Sequence, residues 1–133
     1  MDIATISLVL QLLIFALLIF GYQRFRHGDL KGHGLVLASA TLVHIGVIIL
    51  RMIPAVASDP EFMSINLDPL NLIHWGHVAL GLLAPALGVY ISLRWVFYGS
   101  DPRFCRGKLL MRITFITWLI SLLFGIVMYF LPT

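Results

Sequence analysis

The chain has 133 residues, of which 60% are hydrophobic and 11% are charged, and its mean hydropathy is +1.00. Because a soluble domain carries about 25% charged residues, this composition excludes a soluble enzyme, a nucleic-acid-binding protein and a disordered linker. The net charge of +3 is interpreted as a signal of orientation in the membrane rather than of nucleic-acid binding. The single cysteine, Cys105, allows no internal disulfide, and the chain has no CxxC or CxxCH motif for zinc or covalent haem.

Four stretches without a charged residue divide the chain: 3–23, 32–50, 69–93 and 113–133. Each has about 20 residues, which is enough for a helix to cross ~30 Å of hydrocarbon. The apolar runs are continuous rather than alternating, and open sheet edges are not tolerated in lipid. We therefore predict one all-α domain over 1–133, a polytopic up-down-up-down four-helix bundle with helices at about 3–25, 31–53, 70–98 and 106–131.

Proline and glycine mark the connections between these helices. Pro54 is predicted to end the second helix, and Pro69 suits the first turn of the third. Residues 99–105 are predicted to form a turn. Asp2 is the only early charge, so the first helix lacks the basic start of a signal peptide and is predicted to be retained.

The charges between the helices indicate their orientation. The first and third connections are basic overall, with Arg24, Arg26, Lys31, Arg94, Arg103, Arg106, Lys108 and Arg112 against Asp29 and Asp101. The second is acidic overall, with Arg51 against Asp59, Glu61 and Asp68. Basic connections remain in the cytoplasm, so both termini are predicted to lie outside. We expect an integral, multi-pass protein of a cell membrane, in contact with the lipid bilayer and without a nucleic-acid partner.

The histidines are the most informative residues, because ionisable side chains at membrane depth are costly and mostly functional. Four of the five lie in or beside the second and third helices: His33, His44, His74 and His77. The fifth, His27, lies among basic residues and is interpreted as interfacial. Steps of four and three residues place His33, His44 and Arg51 on one face of the second helix.

The third helix has a matching face, on which His74 and His77 are followed by small residues, including Gly81. The two helices run antiparallel, and His44 and His77 lie at similar depth, so they are predicted to face each other. Facing helices of a bundle are a natural source of the two axial ligands of haem. We predict haem b held by His44 and His77, with Gly81 providing space for the porphyrin. His74 is the substitute ligand, and His33 belongs to the same cofactor-binding set.

Arg51 is the only basic residue in the predicted outer half, and its position opposes the positive-inside bias. Two partners would explain it. One is a haem propionate, reached from the face that carries His44. The other is Asp68 at the start of the third helix, in a structural ion pair.

Other interpretations of the histidines remain open. Copper or another metal ion is the alternative to haem, and histidines and small residues in membrane helices also serve helix packing or proton relay. The sequence contains no catalytic triad, carboxylate pair or phosphate-binding loop, so it assigns no enzymatic activity.

Several segments resemble one family: Lys31-Gly32-His33-Gly34, Leu72-Ile73-His74-Trp75-Gly76-His77, Met111-Arg112-Ile113-Thr114, Trp118-Leu119-Ile120 and Gly125-Ile126-Val127-Met128-Tyr129. Over about residues 30–131 the chain is similar to small bacterial and archaeal four-helix membrane proteins. These are known chiefly as a domain of unknown function, and some members are linked to terminal-oxidase assembly. The layout is also loosely similar to that of four-helix b-type cytochromes.

The resemblance implies that His33 and His77 correspond to the family's histidines in the second and third helices. The family often has another histidine before the fourth helix, where this chain reads Cys105-Arg106-Gly107-Lys108. A family activity that needs that histidine would be missing here. His44 and His74 would then be additions that favour haem binding.

These observations predict a membrane protein that binds haem b, or another metal, between its second and third helices. The expected role is electron transfer, as a small cytochrome-like protein or as a subunit of a membrane redox complex in a respiratory chain. One alternative is an assembly factor for a respiratory oxidase that handles haem or copper. The other is a structural membrane subunit without a cofactor.

Overall fold

The structure, a computed structural model, describes residues 2–58, 64, 67–98 and 108–131. They form four long helices: α1 (Ile3–Arg26), α2 (Leu30–Ser58), α3 (Pro69–Tyr98) and α4 (Lys108–Phe130). No strand occurs in these ranges, and the predicted all-α four-helix fold is confirmed. The turn predicted at 99–105 and the predicted helical residues 106–107 lie outside the described residues.

Side-chain caps explain where the first two helices begin. The carboxylate of Asp2 accepts a hydrogen bond from the backbone N–H of Thr5 at 3.0 Å, and that of Asp29 accepts one from Gly32 at 2.8 Å. Acidic caps satisfy the free N–H groups of a first turn and complement the helix dipole. Between α1 and α2, Gly28 has φ +77°, a conformation that glycine adopts without strain. Pro69 is the first residue of α3, as predicted.

The prediction that Pro54 ends the second helix is wrong, because α2 continues to Ser58. Its first part is α-helical over Leu30–Val47, a single π-helical turn follows over Ile48–Met52, and Ile53–Ser58 is α-helical again. The N–H of Ile53 bonds to the carbonyl oxygen of Ile48, five residues back. Pro54 therefore lies in the first turn after a change of register, where its missing N–H does not interrupt the helix.

Each helix packs against two others. α1 contacts α2 and α4, and α3 contacts α2 and α4. We call the end where α1 and α3 finish and α2 and α4 start the basic end, and the opposite end, near both chain termini, the terminal end. The core between the helices consists of Ile14, Leu18, Ala40, Val47, Ala84 and Trp118.

The outer faces of the helices are apolar. Leu42, Leu50 and Val96 have 69%, 73% and 67% of their surface exposed, and many other large apolar side chains are exposed with them. A surface of this kind is far more apolar than water-facing proteins tolerate. All four helices are long and apolar enough to cross a membrane.

Candidate functional site

His44 and His77, predicted to face each other, line one small cavity in the interior of the bundle. Its volume is about 20 Å³, and all four helices contribute to its walls. The polar and sulfur-containing residues of the lining are Gln11, His44, Met52, His77, Trp118 and Ser121. Among the described residues, no carboxylate, lysine or arginine belongs to this lining. The site is therefore a neutral set of nitrogen, oxygen and sulfur atoms, which we call the inner His cavity.

The backbone of α4 fixes the orientation of the His77 ring. His77 Nδ1 donates to the carbonyl oxygen of Ser121 at 2.8 Å, and Ser121 Oγ donates to the carbonyl oxygen of His77 at 3.4 Å. A carbonyl oxygen only accepts hydrogen bonds, so the hydrogen must lie on Nδ1. In the neutral imidazole, Nε2 then carries the free lone pair that a metal ion or a donor would use.

Three buried polar atoms around the inner His cavity have no hydrogen-bond partner in the structure: Gln11 Oε1, His44 Nδ1 and Trp118 Nε1. The rings of His44 and Trp118 are in contact, with their centroids 5.3 Å apart. Buried polar atoms without partners cost free energy, and most buried groups are satisfied. A volume of about 20 Å³ accommodates one water molecule or one small ion.

Gly81 does not open a space beside His77. A Cβ atom on Gly81 would lie 3.3 Å from Ser121 Oγ and 3.6 Å from the terminal methyl group of Met52. The space predicted for a porphyrin is therefore occupied by α4 and by Met52. The missing side chain of Gly81 serves the close packing of α3 on its neighbours.

The π-helical turn changes which residues of α2 share the face of His44. In a regular α-helix Arg51, seven residues after His44, would lie on that face. The π-helical turn over Ile48–Met52 adds one residue, so Met52 takes this position and lines the inner His cavity. Arg51 instead donates to Ser7 Oγ at 3.2 Å and to the carbonyl oxygen of Ile3 at 3.0 Å. Both hydrogen bonds go to α1, Arg51 is not part of the cavity lining, and no ion pair between Arg51 and Asp68 occurs among the described residues.

A second and much larger cavity lies between the helices in the half of the bundle near the basic end. Its volume is about 560 Å³, and residues of all four helices line it. The walls are mostly apolar and aromatic. The polar, charged and sulfur-containing residues of the lining include His33, Thr41, Ser92, Lys108, Met111 and Arg112. We call it the basic cavity. Its volume is within the range of about 300–1,000 Å³ that cofactors and drug-sized ligands occupy.

His33 is oriented in the same manner as His77. Its Nδ1 donates to the carbonyl oxygen of Gly21 on α1 at 2.7 Å, which leaves the lone pair on Nε2. This Nε2 is buried and has no hydrogen-bond partner among the residues that the structure describes. The ring of Phe25 packs against it, with the centroids 5.3 Å apart.

The other two histidines line neither cavity. His27 is exposed, and its Nδ1 donates to the carbonyl oxygen of Gln23 at 2.7 Å. His74 is half-buried and belongs to the lining of neither cavity. Within the described ranges, no group of three or more His, Cys, Asp or Glu side chains could hold a metal ion.

A charged cluster holds the turn between α1 and α2. Arg24 and Asp29 form an ion pair at 3.0 Å. The N–H of Gly32 donates to the carboxylate of Asp29 and lowers its pKa. Partial desolvation raises this pKa, and Arg24 lowers it. The carboxylate is therefore ionised at neutral pH and fixes the start of the helix that carries His33.

Sequence reasoning missed Gln11, Met52 and Met111. The sequence signal for Gln11 was its position in the middle of a charge-free stretch, where a polar side chain needs a partner. Met52 could not be assigned, since no sequence pattern indicated the π-helical turn. Comparison with models of protein families, with curated proteins and with solved structures finds no match to this chain.

Proposed function

We propose that the protein binds haem b in the basic cavity and acts in electron transfer within a membrane. The role would be that of a small cytochrome-like protein or of a subunit of a membrane redox complex. Haem b supplies a one-electron couple, and the protein would hold it inside the bundle and set its potential through ligands, charge and burial.

The observation that carries the proposal is His33 in the wall of a cavity of about 560 Å³. The carbonyl oxygen of Gly21 holds its Nδ1–H, as backbone carbonyls do for metal-binding histidines. Its Nε2, the atom that binds haem iron in such a tautomer, is a buried atom without a partner. The inner His cavity suits a porphyrin less well, since about 20 Å³ would require the helices to separate.

Two cationic side chains favour a ligand with carboxylates. Lys108 and Arg112 line the basic cavity where α4 begins. Haem propionates are anionic and bind such groups through charge-assisted hydrogen bonds. The remaining walls, which include Leu18, Phe25 and Phe115, would contact the apolar macrocycle.

Met111 would be the second axial ligand of the haem iron, and methionine is a known haem ligand. It lies on α4, diagonal to α2 in the bundle, and lines the same cavity as His33. A haem iron held by histidine and methionine has a higher reduction potential than one held by two histidines. The proposal therefore differs from the sequence prediction in its ligands, although both use haem b.

The test is the haem content of matched histidine variants. His33→Ala removes the ligand and is expected to lose most of the bound haem, because even changes to residues that orient a ligand typically cost about 10–100-fold in affinity. His27→Ala has no role in the cavity and should retain the haem content of the unmodified protein. Equal haem in both purified variants, measured per chain, would contradict the proposal.

A second candidate function is an assembly factor for a respiratory oxidase that handles haem or copper. The neutral donor set of His44, Met52 and His77 favours it, because thioether and imidazole groups are copper ligands. A purified protein that is colourless and carries copper would support this function over electron transfer by haem.

A further inference from the structure

We infer that the inner His cavity is a binding site for one Cu(I) ion, held by His44, His77 and Met52, with the side-chain oxygen of Gln11 beside it. This inference does not depend on haem in the basic cavity. It concerns a different site, which shares only Trp118 of its lining with the basic cavity, and a different ligand.

The donors come together from three helices. His44 and Met52 lie on α2, His77 on α3 and Gln11 on α1, and all four line the same cavity. Gly125 of α4 marks a point where two of them converge. A Cβ atom there would lie 2.5 Å from Gln11 Oε1 and 2.9 Å from the Cε1 atom of His77.

The lone pairs of these side chains are available to bind a cation. The hydrogen bond from Nδ1 to the carbonyl oxygen of Ser121 leaves the His77 lone pair on Nε2. His44 Nδ1 and Gln11 Oε1 are buried and have no partner. The thioether of Met52 is a soft donor without a hydrogen atom to contribute. All four groups are neutral donors, so binding requires no carboxylate.

The π-helical turn is an independent observation that points to the same place. Single π-helical turns in α-helices occur frequently at functional sites. Here the turn over Ile48–Met52 directs Arg51 to α1 and turns Met52 to the cavity. Without it, a guanidinium would share the His44 face, and its positive charge would repel a cation.

The same features select the ion. The cavity lining contains no anionic group, and the free energy of burying an ion grows with the square of its charge, so a monovalent ion is favoured over a divalent one. Imidazole and thioether donors favour copper, and thioether specifically favours Cu(I). A volume of about 20 Å³ fits a bare ion that has lost its water. Cu(I) satisfies each of these conditions, whereas Zn(II) and Mg(II) do not.

The experiment is an anaerobic titration of the purified, detergent-solubilised protein with Cu(I), in competition with a chromophoric Cu(I) chelator. The unmodified protein should bind one Cu(I) per chain and should not bind Zn(II) under the same conditions. His44→Ala and His77→Ala should each weaken Cu(I) binding by roughly 100-fold or more, since loss of a ligand costs more than loss of a group that orients it.

Met52→Leu is the decisive variant, because leucine has nearly the same volume but no sulfur. It should weaken Cu(I) binding about 10-fold or more and remove the sulfur neighbour from the copper X-ray absorption spectrum. Met128→Leu, on α4 outside the lining of the cavity, is the matched control and should change neither quantity. Helix content by circular dichroism confirms that each variant is folded.

Two results would overturn the inference. One is a failure of the folded, unmodified protein to bind Cu(I), which would mean that the cavity holds water only. The other is Cu(I) binding that is unchanged in folded Met52→Leu, or unchanged in both His44→Ala and His77→Ala. Neither result affects the haem proposal, which His33→Ala tests separately.

Discussion

Hydrogen bonds to backbone carbonyl oxygens give His27, His33 and His77 a defined tautomer. The Nδ1 atoms of His33 and His77 donate to carbonyl oxygens on other helices, so each ring has one nitrogen left for a ligand. His27 makes the same bond within its own helix region, but it is exposed. Burial, not tautomer, therefore separates the candidate ligands from an interfacial histidine.

Two arginines provide a residue-level test of where the carboxylates of the proposed haem would lie. Arg112 lines the basic cavity, whereas Arg51 is bonded to Ser7 and Ile3 of α1. Loss of a positive charge near the haem favours the oxidised, more positive iron. Arg112→Leu is therefore expected to lower the midpoint potential on the order of 50 mV. Arg51→Leu should leave it unchanged.

Redox titration of the two variants measures this difference. A lowered potential in Arg51→Leu together with an unchanged one in Arg112→Leu would return the haem to the inner His cavity. That result would restore the contact between Arg51 and a propionate as the explanation for an arginine at the terminal end.

The lowered pKa of Asp29 predicts that the stability of the protein depends on pH. Its pKa is lowered in the folded protein by the N–H of Gly32 and by Arg24. A lowered pKa means that the carboxylate stabilises the fold above its unfolded pKa of about 3.9. This stabilisation is lost as the pH falls through the folded pKa. Asp29→Asn retains a capping side chain but removes the charge.

The measurement is the thermal unfolding midpoint of the two proteins between neutral and acidic pH. The unmodified protein should be the more stable at neutral pH, and the difference should shrink as the pH falls below about 4. A difference that stays constant or grows towards acidic pH would contradict the role of the Asp29 charge.

At the scale of the helix, the π-helical turn and Pro54 depend on each other. The turn shifts the hydrogen bonds of α2 by one residue, so Pro54 falls in a first turn rather than in a helix interior. Deletion of exposed Leu50 would remove the extra residue. Pro54 would then interrupt a continuous α-helix, which costs about 3 kcal/mol in the free energy of unfolding.

The compensating change separates this effect from a general effect of deletion. The Leu50 deletion combined with Pro54→Ala should recover most of the lost stability in chemical denaturation, because alanine supplies the missing N–H. If the double variant is as unstable as the deletion alone, the turn does not serve to accommodate Pro54.

The π-helical turn of α2 is the point at which prediction from the sequence fails. The charge-free stretches predicted all four helices, and the heptad-like steps placed His44 and His77 at one cavity, because 3.6-residue periodicity holds within each α-helical segment. The steps failed at Arg51, which lies within the π-helical turn. They also gave no indication of the basic cavity, since a void between four helices depends on their mutual packing and not on the pattern of any one helix.

At the scale of the whole molecule, the basic end and the apolar surface predict an orientation in the membrane. Four helices long enough to span place the two termini on the same side. The excess of basic residues in the first and third connections predicts that this side is the outside. A reporter inserted at residue 60 should be accessible from outside, and one at residue 102 from the cytoplasm.

Labelling of the two insertions in intact cells with an impermeant reagent measures the orientation. The reverse accessibility would place the basic cavity in the outer leaflet. The electrons for the proposed haem would then come from the opposite side of the membrane.

His33 is proposed to bind the iron of a haem b inside this bundle. The most direct test is the reduced-minus-oxidised visible spectrum of the protein purified from cells that supply haem. The spectrum should show the sharp bands of a b-type haem at close to one haem per chain, and His33→Ala should lose them. A folded protein without these bands, or bands of equal strength in His33→Ala, would contradict it.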